Sequence, residues 1–85
     1  MIFKDKIVLV TGGSQGIGKA VSLMFAAEHS KVVINYSNGM EDAEKLVSDI
    51  KGGGGEAIAL KADVSNPTEV KEMFLKIVEK YGKID

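Results

Sequence analysis

The 85-residue sequence has no cysteine and no tryptophan, one proline and one histidine. The absence of thiols excludes disulfides and thiolate metal sites, and His29 has no clustered partner with which to hold a metal ion. Neither charge sign is in excess: 11 basic against 12 acidic residues leave a formal net charge of -1. Acids and bases are interleaved, so no basic stripe is available to a nucleic acid. Long apolar runs are also missing, and no segment has the length to cross a bilayer, so no membrane partner is expected. The opening MIFKDKIVLV has neither the separate basic and apolar regions of a signal peptide nor a small-residue cleavage site. A cytoplasmic, soluble chain is therefore expected, forming one small domain or part of a larger one.

Glycine, by contrast, is plentiful at 10 residues, and four of them fall in TGGSQGIG, Thr11 to Gly18. The stretch before it, Lys6 to Thr11, is apolar at successive positions, as in a parallel strand covered on both faces. After it, Ile17, Ala20, Val21, Met24 and Phe25 repeat at helical spacing, leaving Lys19, Ser22 and Glu28 off the stripe. Lys31 to Tyr36 is β-branched and aromatic, a second strand ended by Ser37, Asn38 and Gly39. A second amphipathic helix carries Ala43, Leu46, Val47 and Ile50, with Asn38 as its expected cap and the turn Gly52 to Gly55 as its stop.

Glu56 to Val64 reads as a third strand. Asn66, Pro67 and Glu69 then supply a cap, a first-turn proline and a capping-box acid to a third helix. Its stripe is Val70, Met73, Phe74, Ile77, Val78 and Tyr81, and Gly82 closes it. Met24 and Met73 are expected in the core, Tyr81 in packing, and His29 on the surface at the end of the first helix. Three strand–helix alternations predict an α/β chain with a parallel sheet in the order 3-2-1. That is the N-terminal half of a doubly wound Rossmann-type fold, in which a fourth strand lies beside the first. Residues 1–85 are accordingly expected to be the N-terminal part of a single dinucleotide-binding domain, incomplete as it stands.

The strand–loop–helix junction is a phosphate site by its physics. Gly12, Gly16 and Gly18 let the backbone turn tightly and approach a pyrophosphate, and the following helix aims free N–H groups and its positive dipole end at the anion. The spacing is G-x-x-x-G-x-G rather than G-x-G-x-x-G. TGGSQGIG resembles the cofactor loop of the short-chain dehydrogenase/reductase family, whose pattern T-G-x-x-x-G-[IL]-G is met by Thr11, Gly12, Gly16, Ile17 and Gly18. Asp63 and Val64 at the end of the third strand are similar to the family's pair at the adenine ring, the carboxylate taking the exocyclic amine. YGKID resembles the segment before the family's N-N-A-G strand. Within the family, the likeness is greatest to bacterial 3-oxoacyl-[acyl-carrier-protein] reductases, with glucose 1-dehydrogenases nearly as similar.

The resemblance implies hydride transfer between a nicotinamide and a carbonyl or alcohol, on a small or acyl-carrier-bound substrate, with a tyrosine as general acid/base in a parent that is commonly oligomeric. The family's Y-x-x-x-K is not found: Met40 follows Tyr36 by four positions and Asp85 follows Tyr81 by four. No catalytic residue is therefore assigned, and the chain alone is expected to be inactive. The residues expected to bind cofactor are Gly12, Ser14, Gln15, Gly16, Ile17, Gly18, Tyr36, Ser37, Asp63 and Val64, with no metal ligand. Tyr36 and Ser37 place no acid where NAD's ribose 2′-hydroxyl is held and no base where a 2′-phosphate is paired. The missing acid removes repulsion of a phosphate, which tilts the expectation to NADP(H) over NAD(H).

Overall fold

A computed structural model describes residues 4–12 and 16–85; Ser14 and Gln15 of the expected cofactor set lie outside the described residues. The elements run β1 (Ile7–Thr11), α1 (Gly16–Ala27), β2 (Lys31–Tyr36), α2 (Met40–Gly52), β3 (Glu56–Lys61) and α3 (Pro67–Tyr81). All strand pairs are parallel and β2 is central, with Ile7 opposite Lys31 and Lys31 opposite Glu56. The expected 3-2-1 half-sheet is thus the one observed.

Period-two alternation divides each strand between two cores. Val10, Val32, Ile34, Tyr36 and Ala57 face α2, whose Ala43, Leu46, Val47 and Ile50 are buried, while Val21 and Phe25 of α1 pack on the same side. Ile7 and Val33 face the opposite way, onto Met73 and Ile77 of α3. Burying one such Leu or Ile stabilises by about 1.5–3 kcal/mol, so two-sided cover makes β2 the anchor of the fold. Val32, Val33 and Ile34 are completely inaccessible, consistent with that position.

α3 has the expected punctuation. Asn66 Oδ1 accepts from the N–H of Thr68 at 3.0 Å and of Glu69 at 3.3 Å, and Gly82 adopts φ 81° at the other end. Elsewhere the sequence expectations need correction. α2 is not capped by Asn38; Gly39 precedes it in the left-handed conformation, φ 77°, with no side-chain cap. The third strand ends at Lys61 rather than Val64, because the chain turns at Asp63 to enter α3.

The α1 stripe is also displaced. Ser22, expected off it, is fully buried and donates its Oγ to Gly18 O at 2.9 Å, while Met24, expected in the core, is 68% exposed. Ile17 is 84% exposed. Ile17 belongs to the first turn of α1, and β1, an edge strand, limits how much of the helix the sheet can cover. Phe74 and Val78 of α3 are exposed on the other face although they belong to its apolar stripe. Between the two faces, Val8, Leu9, Phe25, Phe74, Ile84 and Asp85 help line an open groove of about 570 Å³ along β1.

Candidate functional site

Parallel strands finish at a common edge, since Thr11 lies opposite Asn35 and Tyr36 opposite Lys61. Each strand is followed at this C-terminal edge by a residue of the expected cofactor set: Gly12 after β1, Ser37 after β2, and Asp63 after β3 and Ala62. In open α/β sheets this crevice is where ligands lie.

Gly12 has φ +62° and Gly16 φ +52°, both in the left-handed region that a Cβ disfavours. A Cβ built on either would meet nothing within 4 Å among the described residues, so packing against them is not what demands glycine there. The turn demands it, and the space in front of the backbone is open to a ligand. Gly16 is also the first residue of α1, whose unpaired N–H groups and dipole favour an anion at that end.

On the far side of the edge, Asp63 is fully exposed and its carboxyl is held below the usual aspartate value, chiefly because Ser65 Oγ donates to it and secondarily because the Ser65 N–H does. Both bonds fall on Oδ1, at 2.6 and 2.9 Å. The same carboxylate therefore shapes the turn and stands ionised at the edge. The Asp63 N–H donates to Glu69 Oε1 at 3.2 Å, so the capping-box acid reaches back beyond Asn66 to steady the site. Val64 is 58% exposed next to it, an apolar surface against which a flat ring can rest.

The structure separates Tyr36 from Ser37. The Tyr36 ring belongs to the α2-side core, and its carbonyl accepts from Ala62 N at 2.9 Å, whereas Ser37 is exposed beyond the strand end. Sequence reasoning passed over Asn35. Its buried Nδ2 donates to Ala62 O at 3.1 Å, fixing the backbone immediately before Asp63. The signal was available: asparagine is disfavoured in strands, so its presence inside KVVINY needs a hydrogen-bonding reason. Among the described residues, no group of acids and histidine could hold a metal ion, and no helix is long and apolar enough to cross a membrane.

Comparison with known proteins agrees with this geometry. The family model described as short chain dehydrogenase matches residues 6–85. The short-chain dehydrogenase/reductase homolog YusS of Bacillus subtilis is 44% identical over 81 residues, 95% of this chain and 74% of that one. A 3-oxoacyl-[acyl-carrier-protein] reductase of Synechocystis is 44% identical over 80 residues, covering 94% of this chain and 32% of the reductase. The crystal structure of a short-chain dehydrogenase from Burkholderia cenocepacia in complex with NADP superposes with a TM-score of 0.91 at 37% identity, over 98% of this chain and 34% of that one. The chain thus spans about a third of the length of the last two. With its loop glycines, parallel half-sheet and matched residues in agreement, the chain belongs to the short-chain dehydrogenase family.

Proposed function

We propose that this chain is the dinucleotide-holding part of a single Rossmann domain and binds a nicotinamide dinucleotide across the C-terminal edge of β1, β2 and β3, NADP(H) in preference to NAD(H). The observation that carries the reading is the pair of left-handed glycines, Gly12 and Gly16, facing open space at the start of α1. Gly12, Gly16 and Gly18 with the first turn of α1 would take the pyrophosphate, and Ile17 would border it; Ser14 and Gln15 complete the loop in sequence. Ser37 would donate toward the ribose 2′-phosphate, with no acid beside it to repel that group. Asp63 would accept from the adenine amine and Val64 would cover the ring. The NADP complex of the Burkholderia relative supports the preference.

In the reaction, a bound nicotinamide donates or accepts a hydride; this chain's residues bind and orient the dinucleotide. The likeness to the Synechocystis protein supports a parent activity on acyl-carrier-bound or similar small carbonyl substrates, of the 3-oxoacyl-[acyl-carrier-protein] reductase kind. No Y-x-x-x-K is present to move the proton, so the chain alone binds without turnover. The test is titration of the isotope-labelled chain with NADP and with NAD. Saturable amide shifts at Gly12, Gly16, Gly18 and Asp63, stronger for NADP, are expected. Unperturbed loop amides at millimolar NADP would remove the reading.

A further inference from the structure

Three asparagines are present, Asn35, Asn38 and Asn66, and the fold treats their carboxamides differently. Asn35 is buried, with its Nδ2 donating to Ala62 O at 3.1 Å, and the bulky Tyr36 follows it. Asn66 commits its Oδ1 to the N–H groups of Thr68 and Glu69, and Pro67 behind it has no N–H at all. Asn38 is exposed beyond the end of β2, its side chain does not cap α2, and Gly39 follows it.

An asparagine in that setting is reactive. The Gly39 nitrogen can attack Asn38 Cγ: a bond forms between them, the Cγ–Nδ2 bond breaks, and the Gly39 proton leaves with Nδ2 as ammonia. Water then opens the cyclic imide at either carbonyl, leaving aspartate or isoaspartate, and no oxidant or reductant is needed. Glycine is the neighbour that hinders this attack least, because it has no side chain beside its nitrogen and its backbone is the freest to turn. The fold itself calls for glycine here, since the chain passes from β2 into α2 through φ 77° and ψ 46° at residue 39. The reactive pair is thus built into the entry to α2.

The product would place its charge where the cofactor is chosen. Ser37, the residue before, is the one assigned to the ribose 2′-phosphate. Consecutive Cα atoms are about 3.8 Å apart, so a carboxylate at position 38 stands within about one Debye length, about 8 Å, of a phosphate held by Ser37. Glu41 and Asp42 already bring negative charge to the first turn of α2, and no base lies between Lys31 and Lys45 in the sequence to offset a further acid. A neutral 2′-hydroxyl meets no such repulsion and can donate to a carboxylate.

We propose that Asn38 is a site of spontaneous deamidation, and that its conversion turns the dinucleotide site from NADP(H) toward NAD(H). The chemistry at Asn38 stands on the turn alone, whereas its effect on the cofactor rests on the function proposed above.

The experiment holds the full 85-residue chain, isotope-labelled, at mildly alkaline pH and follows its peptide masses. NADP and NAD are titrated into the fresh chain, the aged chain, Asn38→Asp and Asn38→Gln. Asn38 is expected to convert while Asn35 and Asn66 stay intact, and Asn38→Gln is expected to gain no acid at that position over the same period. The aged chain and Asn38→Asp should bind NADP about tenfold more weakly than the fresh chain, with NAD affinity changed less than about threefold. Exchange protection of Val32 to Ile34 in every sample separates this change from unfolding. An Asn38 that survives ageing, or converts no faster than Asn35, would overturn the site. An unchanged NADP-to-NAD ratio in Asn38→Asp, when the fresh chain binds NADP, overturns its effect and leaves the function above standing. A fresh chain that binds neither dinucleotide overturns that function and the effect with it.

Discussion

Gly55 stands where β3 must start hard against the end of α2. A Cβ there would lie 2.8 Å from Ile50 Cγ2 and 3.2 Å from Ile50 O, and both atoms are held: the side chain is buried, and the carbonyl accepts from Gly55 N at 2.9 Å. Gly52, three residues earlier, is helical and has open space at its Cβ position. Gly55→Ala is therefore expected to destabilise by about 1–3 kcal/mol through overpacking. Gly52→Ala is expected to stabilise by about 0.5–1 kcal/mol through backbone entropy. Urea unfolding of the two variants beside the parent checks the pair, and equal effects would refute the distinction. The tract Gly52 to Gly55 is legible as a turn from its composition, yet which glycine is indispensable is set by how closely two elements meet. The same limit governs the site. Gly12, Gly16 and Asp63 announce themselves by spacing, whereas Asn35 acts through a carbonyl 27 positions away and leaves only a weak local mark.

At the scale of an element, α3 and α2 form an instructive pair. Asn66, Pro67, Glu69 and Gly82 act within a turn of their own positions, so the ends of α3 can be read from sequence and recur in the structure. α2 begins after a left-handed glycine instead, a choice made by the path of the chain out of β2. Asn66→Ala should cost about 1 kcal/mol by freeing the Thr68 and Glu69 N–H groups, with thermal unfolding as the measure. Asn38→Ala, by contrast, is expected to change stability by less than about 0.5 kcal/mol, because its side chain does not cap α2. α1 shows the converse difficulty. Its period is legible, but which part of its stripe is covered depends on where the sheet ends, and β1 is an edge strand.

The whole molecule carries charges whose balance sets the pH window of its stability. Asp63 and Asp85 both have carboxyls held below the aspartate value of 3.8, Asp63 chiefly by Ser65 and Asp85 chiefly by the Ile7 N–H. A depressed folded-state value means that the stabilisation is complete above 3.8 and is lost as pH falls through the folded-state values beneath it. Asp85 ties the C-terminal segment to β1, so its protonation loosens the outer edge of the sheet first. Tyr81 sets the opposite limit. Burial first, then a hydrogen bond to the Glu56 carboxylate and that group's charge, push the phenol from 10.0 up to about 12. A raised folded-state value favours the neutral form, so this contribution is present below 10.0 and is lost as pH rises from there to about 12. The Lys31 and Lys80 ammonium groups, 5.9 and 5.5 Å from the ring centroid, would keep their contact with a phenylalanine. Tyr81→Phe is therefore expected to leave stability at pH 7 within about 1 kcal/mol of the parent and to flatten the alkaline limb. Asp85→Asn should flatten the acid limb in the same way. Urea midpoints across the pH range would show this, and parallel curves for parent and variants would mean that neither group is linked to folding.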